Sequence, residues 1–200
     1  MGPGVLWRWF TGKYHNPRPE ERVFMFLDIR DSTTLAEQLG DLRFSALVRD
    51  FMADLSNPVI ATRAEVSHYI GDEAVLTWLP NRAFRDDACV RLYRLMRDRI
   101  ALKAPYYLKH YGLVPGFKAG IHVGTSIVTE VGEVKSEIVY HGDTLNTTAR
   151  IQGLCDSLGY DLLVSEALAS RLKEPGHPLG EHKLKGKAEP IAVRGFFSQP

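Results

Sequence analysis

The 200-residue chain holds only two cysteines, Cys89 and Cys155, each inside an apolar helical pattern. That leaves no disulfide framework and fits a reducing compartment with buried thiols. Net charge is nearly absent as well: 25 basic against 24 acidic residues give +1, so no global field gathers nucleic acid or an anionic surface. No stretch approaches the about 18 apolar residues of a membrane span, and the layout of a secretory signal is missing. A soluble, cytoplasmic domain is expected. Neither G-x-x-x-x-G-K-[ST] nor G-x-G-x-x-G occurs, which removes the P-loop and the dinucleotide-binding turn. No Ser-His-Asp or Cys-His constellation stands out.

With 44% hydrophobic residues the chain has enough apolar surface for one full core. Residues 1–22, "MGPGVLWRWFTGKYHNPRPEER", differ from the rest: aromatic residues among arginines, then a charged run punctuated by proline. Such a segment suits a linker, a juxtamembrane stretch below a membrane or sensor region, or a strap on its own domain. The main domain is expected over 23–197.

From Val23 the pattern is regular. "VFMFLDI" reads as a buried strand ending in Asp28. Ser32 or Thr33 can cap the helical spacing that follows, with a break at Gly40-Asp41. "EVSHYI" and "AVLTWL" flank Gly71-Asp72-Glu73 as a hairpin. A long helix is predicted from about Phe84 to Lys103. "GFKAGIHVG" and "SIVTEVG" read as a strand pair, "EIVY" as another strand, and 143–158 as a helix. "DLLVS", a short helix to Leu172, "HKLKG" and "IAVRGFF" complete the chain. Helices alternating with strands and hairpins predict an α+β fold, one mixed β-sheet covered by helices.

The chemistry gathers at a few points. Asp28 closes a strand and Asp72 sits in a hairpin turn, so adjacent strands would bring both carboxylates to one edge. Two carboxylates completed by phosphates and water suit Mg²⁺; taken alone, each also fits an ordinary turn or solvated strand end. "IRDSTT", with Arg30, Asp31, Ser32 and Thr33, is a strand-to-helix turn whose free N–H groups and helix dipole suit a triphosphate. "YHGDTLNTTARIQ" carries threonines, an asparagine and an arginine where a packing helix favours Ala, Leu, Glu or Lys. Asn146 and Arg150, four apart, share one helix face and could grip a ribose oxygen and a phosphate, or could be plain surface residues.

"FLDIRDST", "YIGDEAV", "GIHVG", "GDTLNTTARI" and "LKGKAEPI", in this order, resemble the catalytic domain of class III nucleotide cyclases of the bacterial adenylate cyclase type. The resemblance implies a ferredoxin-like, palm-type sheet and a homodimer with two Mg²⁺ or Mn²⁺ ions per site. Asp28, Asp72 and the Ile29 carbonyl match the metal ligands, Asn146 and Arg150 the groups that stabilise the transition state, and Lys185 a triphosphate lysine. Metal aspartates and the Asn/Arg helix of one site would come from opposite protomers. The implied reaction is ATP to 3′,5′-cyclic AMP and pyrophosphate, without nucleic acid as partner. His68 and Val139 stand where adenylate cyclases of the family commonly place a lysine and an aspartate or threonine. Valine offers no hydrogen bond. GTP or a pyrimidine triphosphate is therefore an open alternative substrate, and a degenerate nucleotide-binding or dimerisation module an alternative role.

Overall fold

The structure, a computed structural model, describes residues 16–132 and 136–198. Residues 1–15, most of the expected N-terminal segment, lie outside them. In chain order the elements are β1 (Arg18–Ile29), α1 (Ser32–Leu39), α2 (Asp41–Thr62), β2 (Glu65–Ile70), β3 (Glu73–Trp78) and α3 (Pro80–Ala83). Then come α4 (Ala88–Tyr111), β4 (Phe117–Val131), β5 (Glu137–His141), α5 (Asp143–Gly153), α6 (Cys155–Leu158), β6 (Tyr160–Ser165), α7 (Glu166–Ala169), β7 (His177–His182) and β8 (Ile191–Ser198).

Among the described residues the strands form one mixed sheet in the order β2-β3-β1-β4-β6-β8-β7, with β5 paired to the far end of β4. Only β4 and β6 run parallel; the other pairs are antiparallel. This is the expected α+β architecture.

The central strand β1 is continuously apolar from Val23 to Leu27 because both of its faces are covered there. Side chains alternate across a strand, so Val23, Met25, Leu27 and Ile29 enter the main core with Leu47, Phe51 and Leu55 of α2 and Tyr93, Met96 and Ile100 of α4. Phe24 and Phe26 face the other way, joining Val75, Val128 and Tyr140 under Leu145 and Ala149 of α5. Asp28 has the parity of Phe24 and Phe26. It therefore emerges on the α5 side.

Five elements differ from the sequence-based expectation. The strand expected from Val23 begins at Arg18; Arg22 is fully buried, bonded to Glu20 at 2.7 Å and Glu65 at 2.9 Å beneath the Tyr140 ring. The long helix starts after Asp86 and Asp87, both at positive φ, and runs past Pro105 to Tyr111. Its end is held by tertiary bonds: Tyr106 and Tyr111 donate to Asp50 at 2.6 and 2.5 Å, and Tyr107 donates to Asp54 at 2.8 Å. The expected strand pair around Gly124 is one strand, β4. The helix expected over 143–158 is interrupted at Leu154, and β7 precedes "HKLKG", leaving Lys185-Gly186 in a turn.

Two glycines of β4 explain how α5 reaches the sheet. A Cβ on Gly120 would stand 2.4 Å from the Gln152 backbone nitrogen, and one on Gly124 would stand 2.7 Å from Thr144 Oγ1. Hydrogen at these positions lets the helix lie directly on the strand.

Candidate active site

Register brings the first carboxylates together. Asp28 pairs with Glu73 of β3 on one side and with Lys118 of β4 on the other, and Asp72 occupies the turn immediately before Glu73. The Asp28 carboxyl is raised from its ordinary 3.8 to about 6, first by burial, then by hydrogen bonding to and repulsion from Asp72, against the pull of Lys118 and Gln152. Burial and the charges of Asp28 and Asp72 push Glu73 up to about 7. Asp72 Oδ2 is buried without a hydrogen-bond partner. Crowded carboxylates with an unsatisfied oxygen lack a compensating cation, and a divalent ion bound through oxygen fits that deficit. Among the described residues no three His, Cys, Asp or Glu side chains form a ready-made metal cage, so the protein's side chains offer two carboxylates. Ile29, the other expected ligand, is buried at the end of β1 beside them.

The turn after β1 is only partly as expected. Arg30 is not available to a phosphate: its guanidinium bonds Asp156, Asp161 at 2.9 Å and the Tyr160 carbonyl at 3.1 Å, and its backbone N–H bonds Gly116 O at 2.9 Å. Asp31, at φ 53°, holds the N-cap position of α1, and no side chain caps the helix, so neither Ser32 nor Thr33 acts as the cap. The first helical N–H groups, at Ser32 and Thr33, thus precede the helix's own hydrogen bonding. Leu35 N–H is bonded to Asp31 O at 2.9 Å.

On α5, Thr144, Thr148 and Gln152 are buried against β4 and β1 at a four-residue spacing. Gln152 Nε2 donates to Asp28 Oδ2 at 3.2 Å. At about 100° per residue, Arg150 lies roughly 200° and Asn146 roughly 240° round the helix from Gln152. Asn146 is exposed and Arg150 half-buried. The chain therefore keeps the Asp28/Asp72 pair and the Asn146/Arg150 pair on opposite sides of one helix.

Arg150 has company on its own side. A Cβ on Gly186 would sit 3.3 Å from Arg150 Nη2, so the Lys185-Gly186 turn lies against the guanidinium, with Lys185 exposed. Lys187 closes an ion pair with Asp143 at the start of α5, and His122, bonded to Ser165 Oγ at 2.8 Å, is pushed down to about 4 by burial and the Lys187 charge. His68 lies opposite Val75 on β2, past a bulge; its Nδ1 shares a 2.8 Å hydrogen bond with Ser67 Oγ. Partial burial lowers the imidazole, against the pull of Glu137. Val139 is half-buried on β5, opposite Thr129 of β4 and two residues from Glu137. By register His122 and His68 share the α5 face with Phe24 and Val75, whereas Val139 has the opposite parity from Ile138 and Tyr140, which pack on that face.

Sequence reasoning missed Gln152, Glu73 and the Lys187–Asp143 pair. Gln152 ended the stretch already singled out, and its spacing from Thr144 and Thr148 was the available signal.

The sheet order and the helix layer are those of the class III nucleotide cyclase fold, and the chain is similar in sequence to adenylate cyclases. No family model matches it. It is 41% identical over 197 residues to Adenylate cyclase 2 of Rhizobium meliloti (strain 1021), an alignment covering 96% of this chain and 54% of that protein. The chain thus spans about half the length of that relative. A bacterial light-regulated adenylyl cyclase superposes with a TM-score of 0.84 at 21% identity, covering 100% of this chain and 60% of that one. The guanylate cyclase domain of RhGC from Catenaria anguillulae, solved with GTP, gives 0.74 at 17% identity over 92% of this chain and 100% of that one. Both an adenylyl and a guanylate cyclase share this fold. No described helix is long and apolar enough to cross a membrane.

Proposed function

We propose that the chain is the catalytic domain of an adenylate cyclase, converting ATP to 3′,5′-cyclic AMP and pyrophosphate in sites assembled from two copies. The carrying observation is the division of labour across α5: the cation-deficient carboxylates touch its inner face through Gln152, while Asn146, Arg150 and the Lys185 turn sit on its outer face. Arg150 is turned away from its own Asp28, and a second copy related by a two-fold axis can supply the missing half to each site.

In the reaction the ribose 3′-oxygen bonds to the α-phosphorus, the bond to the β-phosphate oxygen breaks, and pyrophosphate leaves. The hydroxyl proton passes to water. Asp28, Asp72 and the Ile29 carbonyl would hold Mg²⁺ or Mn²⁺, which supplies Lewis-acid polarisation of the 3′-hydroxyl and charge neutralisation of the triphosphate. Asn146 orients the ribose and Arg150 neutralises charge developing on the α-phosphate. Lys185 and the first N–H groups of α1, at Ser32 and Thr33, bind phosphate oxygens. ATP as substrate goes with a cytoplasmic setting.

The aliphatic Val139 supports a second reading, the same chemistry on GTP or a pyrimidine triphosphate. Incubating the protein with each of the four ribonucleoside triphosphates, with Mn²⁺ or EDTA, and separating products by chromatography tests both. Cyclic AMP formation that vanishes in EDTA and in Asp72→Ala supports the proposal. Another cyclic nucleotide as the main product selects the second reading, and no cyclic product from any of the four would leave only a nucleotide-binding or dimerisation module.

A further inference from the structure

At the opposite end of β3 from Asp72, a cavity of about 320 Å³ opens between the C-terminus of α2, α3 and the first turn of α4. Thr62, Arg63, Asn81, Arg82, Arg85 and Arg91 line it. At about 3.4 Å per residue, the length of β3 puts it roughly 17 Å from the carboxylate pair. Its charge is not balanced. Arg82 shares Glu65, at 3.3 Å, with the buried Arg22, and Asp86, the one acidic residue lining the cavity, is paired with Lys173 at 2.7 Å. Among the described residues Arg63, Arg85 and Arg91 close no ion pair, and the one carboxylate that feels Arg85 and Arg91, Asp86, is already bonded to Lys173. Arg91 makes one long contact, from Nη2 to Ala61 O at 3.5 Å, and its Nε is buried with no partner. Leaving a guanidinium N–H desolvated and unpaired is costly, and a bound acceptor removes the cost.

We propose that this cavity is a second ligand site, separate from the catalytic surface, that binds a small polyvalent phosphate anion. Several guanidinium groups converging on a concavity suit the tetrahedral, multiply charged oxygens of phosphate, which accept paired N–H bonds. The volume falls at the small end of ligand cavities, which fits a free phosphate compound. One source of the same chemistry is a soluble anion such as pyrophosphate; the other is a phospholipid headgroup. Arginines set in a cavity between three helices, rather than on an open face, favour the soluble anion.

The test is calorimetry with pyrophosphate in EDTA, so that metal-dependent binding at the catalytic face is removed. It uses the intact chain, an Arg150→Ala/Lys185→Ala variant that blanks the proposed substrate face, and an Arg63→Asn/Arg85→Gln variant. Asparagine tolerates the positive φ of 55° at position 63, and Arg85 is exposed, so that variant retains the fold, checked by its melting temperature. Arg91→Gln, which removes the orphaned Nε, is the second probe of the cavity. Saturable one-site binding that survives Arg150→Ala/Lys185→Ala and weakens at least about tenfold in Arg63→Asn/Arg85→Gln is the expected result. No saturable binding, or binding lost with Arg150 and Lys185 and kept without Arg63 and Arg85, overturns the proposal. Flotation with phosphatidic acid vesicles forms the second arm. Capture by vesicles without any binding of pyrophosphate would also overturn it, assigning the arginines to a membrane surface. Cyclase turnover enters none of these readouts.

Discussion

Mixing two inactive variants should restore activity. Asp28 bonds Gln152 on the inner face of α5, and Arg150 projects roughly 200° round the same helix, across a body about 10 Å wide. No rotamer of Arg150 carries it through the helix to its own Asp28. Asp28→Ala and Arg150→Ala homodimers each lack one essential group in both sites, so each should retain no more than a few per cent of activity. A mixed dimer holds one doubly damaged site and one with both groups present. With random exchange about half the dimers are mixed, and half their sites are complete, so recovery should approach about a quarter of the unmodified activity. Native mass spectrometry of differently tagged subunits establishes exchange, and chromatography of cyclic AMP gives the rate. A mixture that has exchanged and stays as inactive as its components refutes the shared site.

Other outcomes follow from the same geometry. Gly120→Ala places a methyl carbon 2.4 Å from Gln152 N and 2.7 Å from its Cα, both backbone atoms, so α5 must move; about 1–3 kcal/mol of stability should be lost, read as a lower melting temperature. Gly153→Ala, with nothing within 4 Å of the new carbon, is the control and should leave melting unchanged or slightly raised. Asp28→Asn should stabilise the metal-free protein near pH 7.5. Its folded carboxyl titrates near 6 rather than 3.8, so the unfolded chain binds fewer protons in between, and stability falls as pH rises through that window. Melting in EDTA across pH 4–8 checks the sign, and a lower melting temperature for Asp28→Asn at pH 7.5 would count against cation-deficient crowding. Val139→Thr should raise the ATP-to-GTP rate ratio by supplying a hydrogen-bonding group; an unchanged ratio places residue 139 outside the base pocket.

Local signals carried much of this structure. The Gly71-Asp72-Glu73 hairpin, the apolar β1 and the polar helix at 143 were legible because turn chemistry and side-chain period are set by nearby residues. What escaped was set from a distance. Gly124 looks like a turn residue in sequence, yet it is there to admit Thr144 of α5. Pro105 suggests a helix end, but tyrosines further along clasp the carboxylates of α2. Arg30 follows a metal-type aspartate and resembles a phosphate ligand, while Asp156 and Asp161, more than a hundred positions away, claim its charge. The two carboxylates could be paired from topology; the glutamine that orients one of them depended on knowing which face of α5 meets the sheet.

Gln152 gives α5 a property that a helix with one working face lacks. In the proposed dimer its inner side would steady a carboxylate of one reaction centre through the Gln152–Asp28 bond, and its outer side would present groups to the other. The spacing between the two centres would then be set by the thickness of a single rod. A small roll of that rod about its own axis alters both ends of the arrangement together, drawing one set of atoms inward as the opposite set swings away. The glycines of β4 seat the rod so closely that sideways drift is resisted by backbone, leaving rotation and sliding as its softer motions. Whatever acts on this domain has a single element to turn.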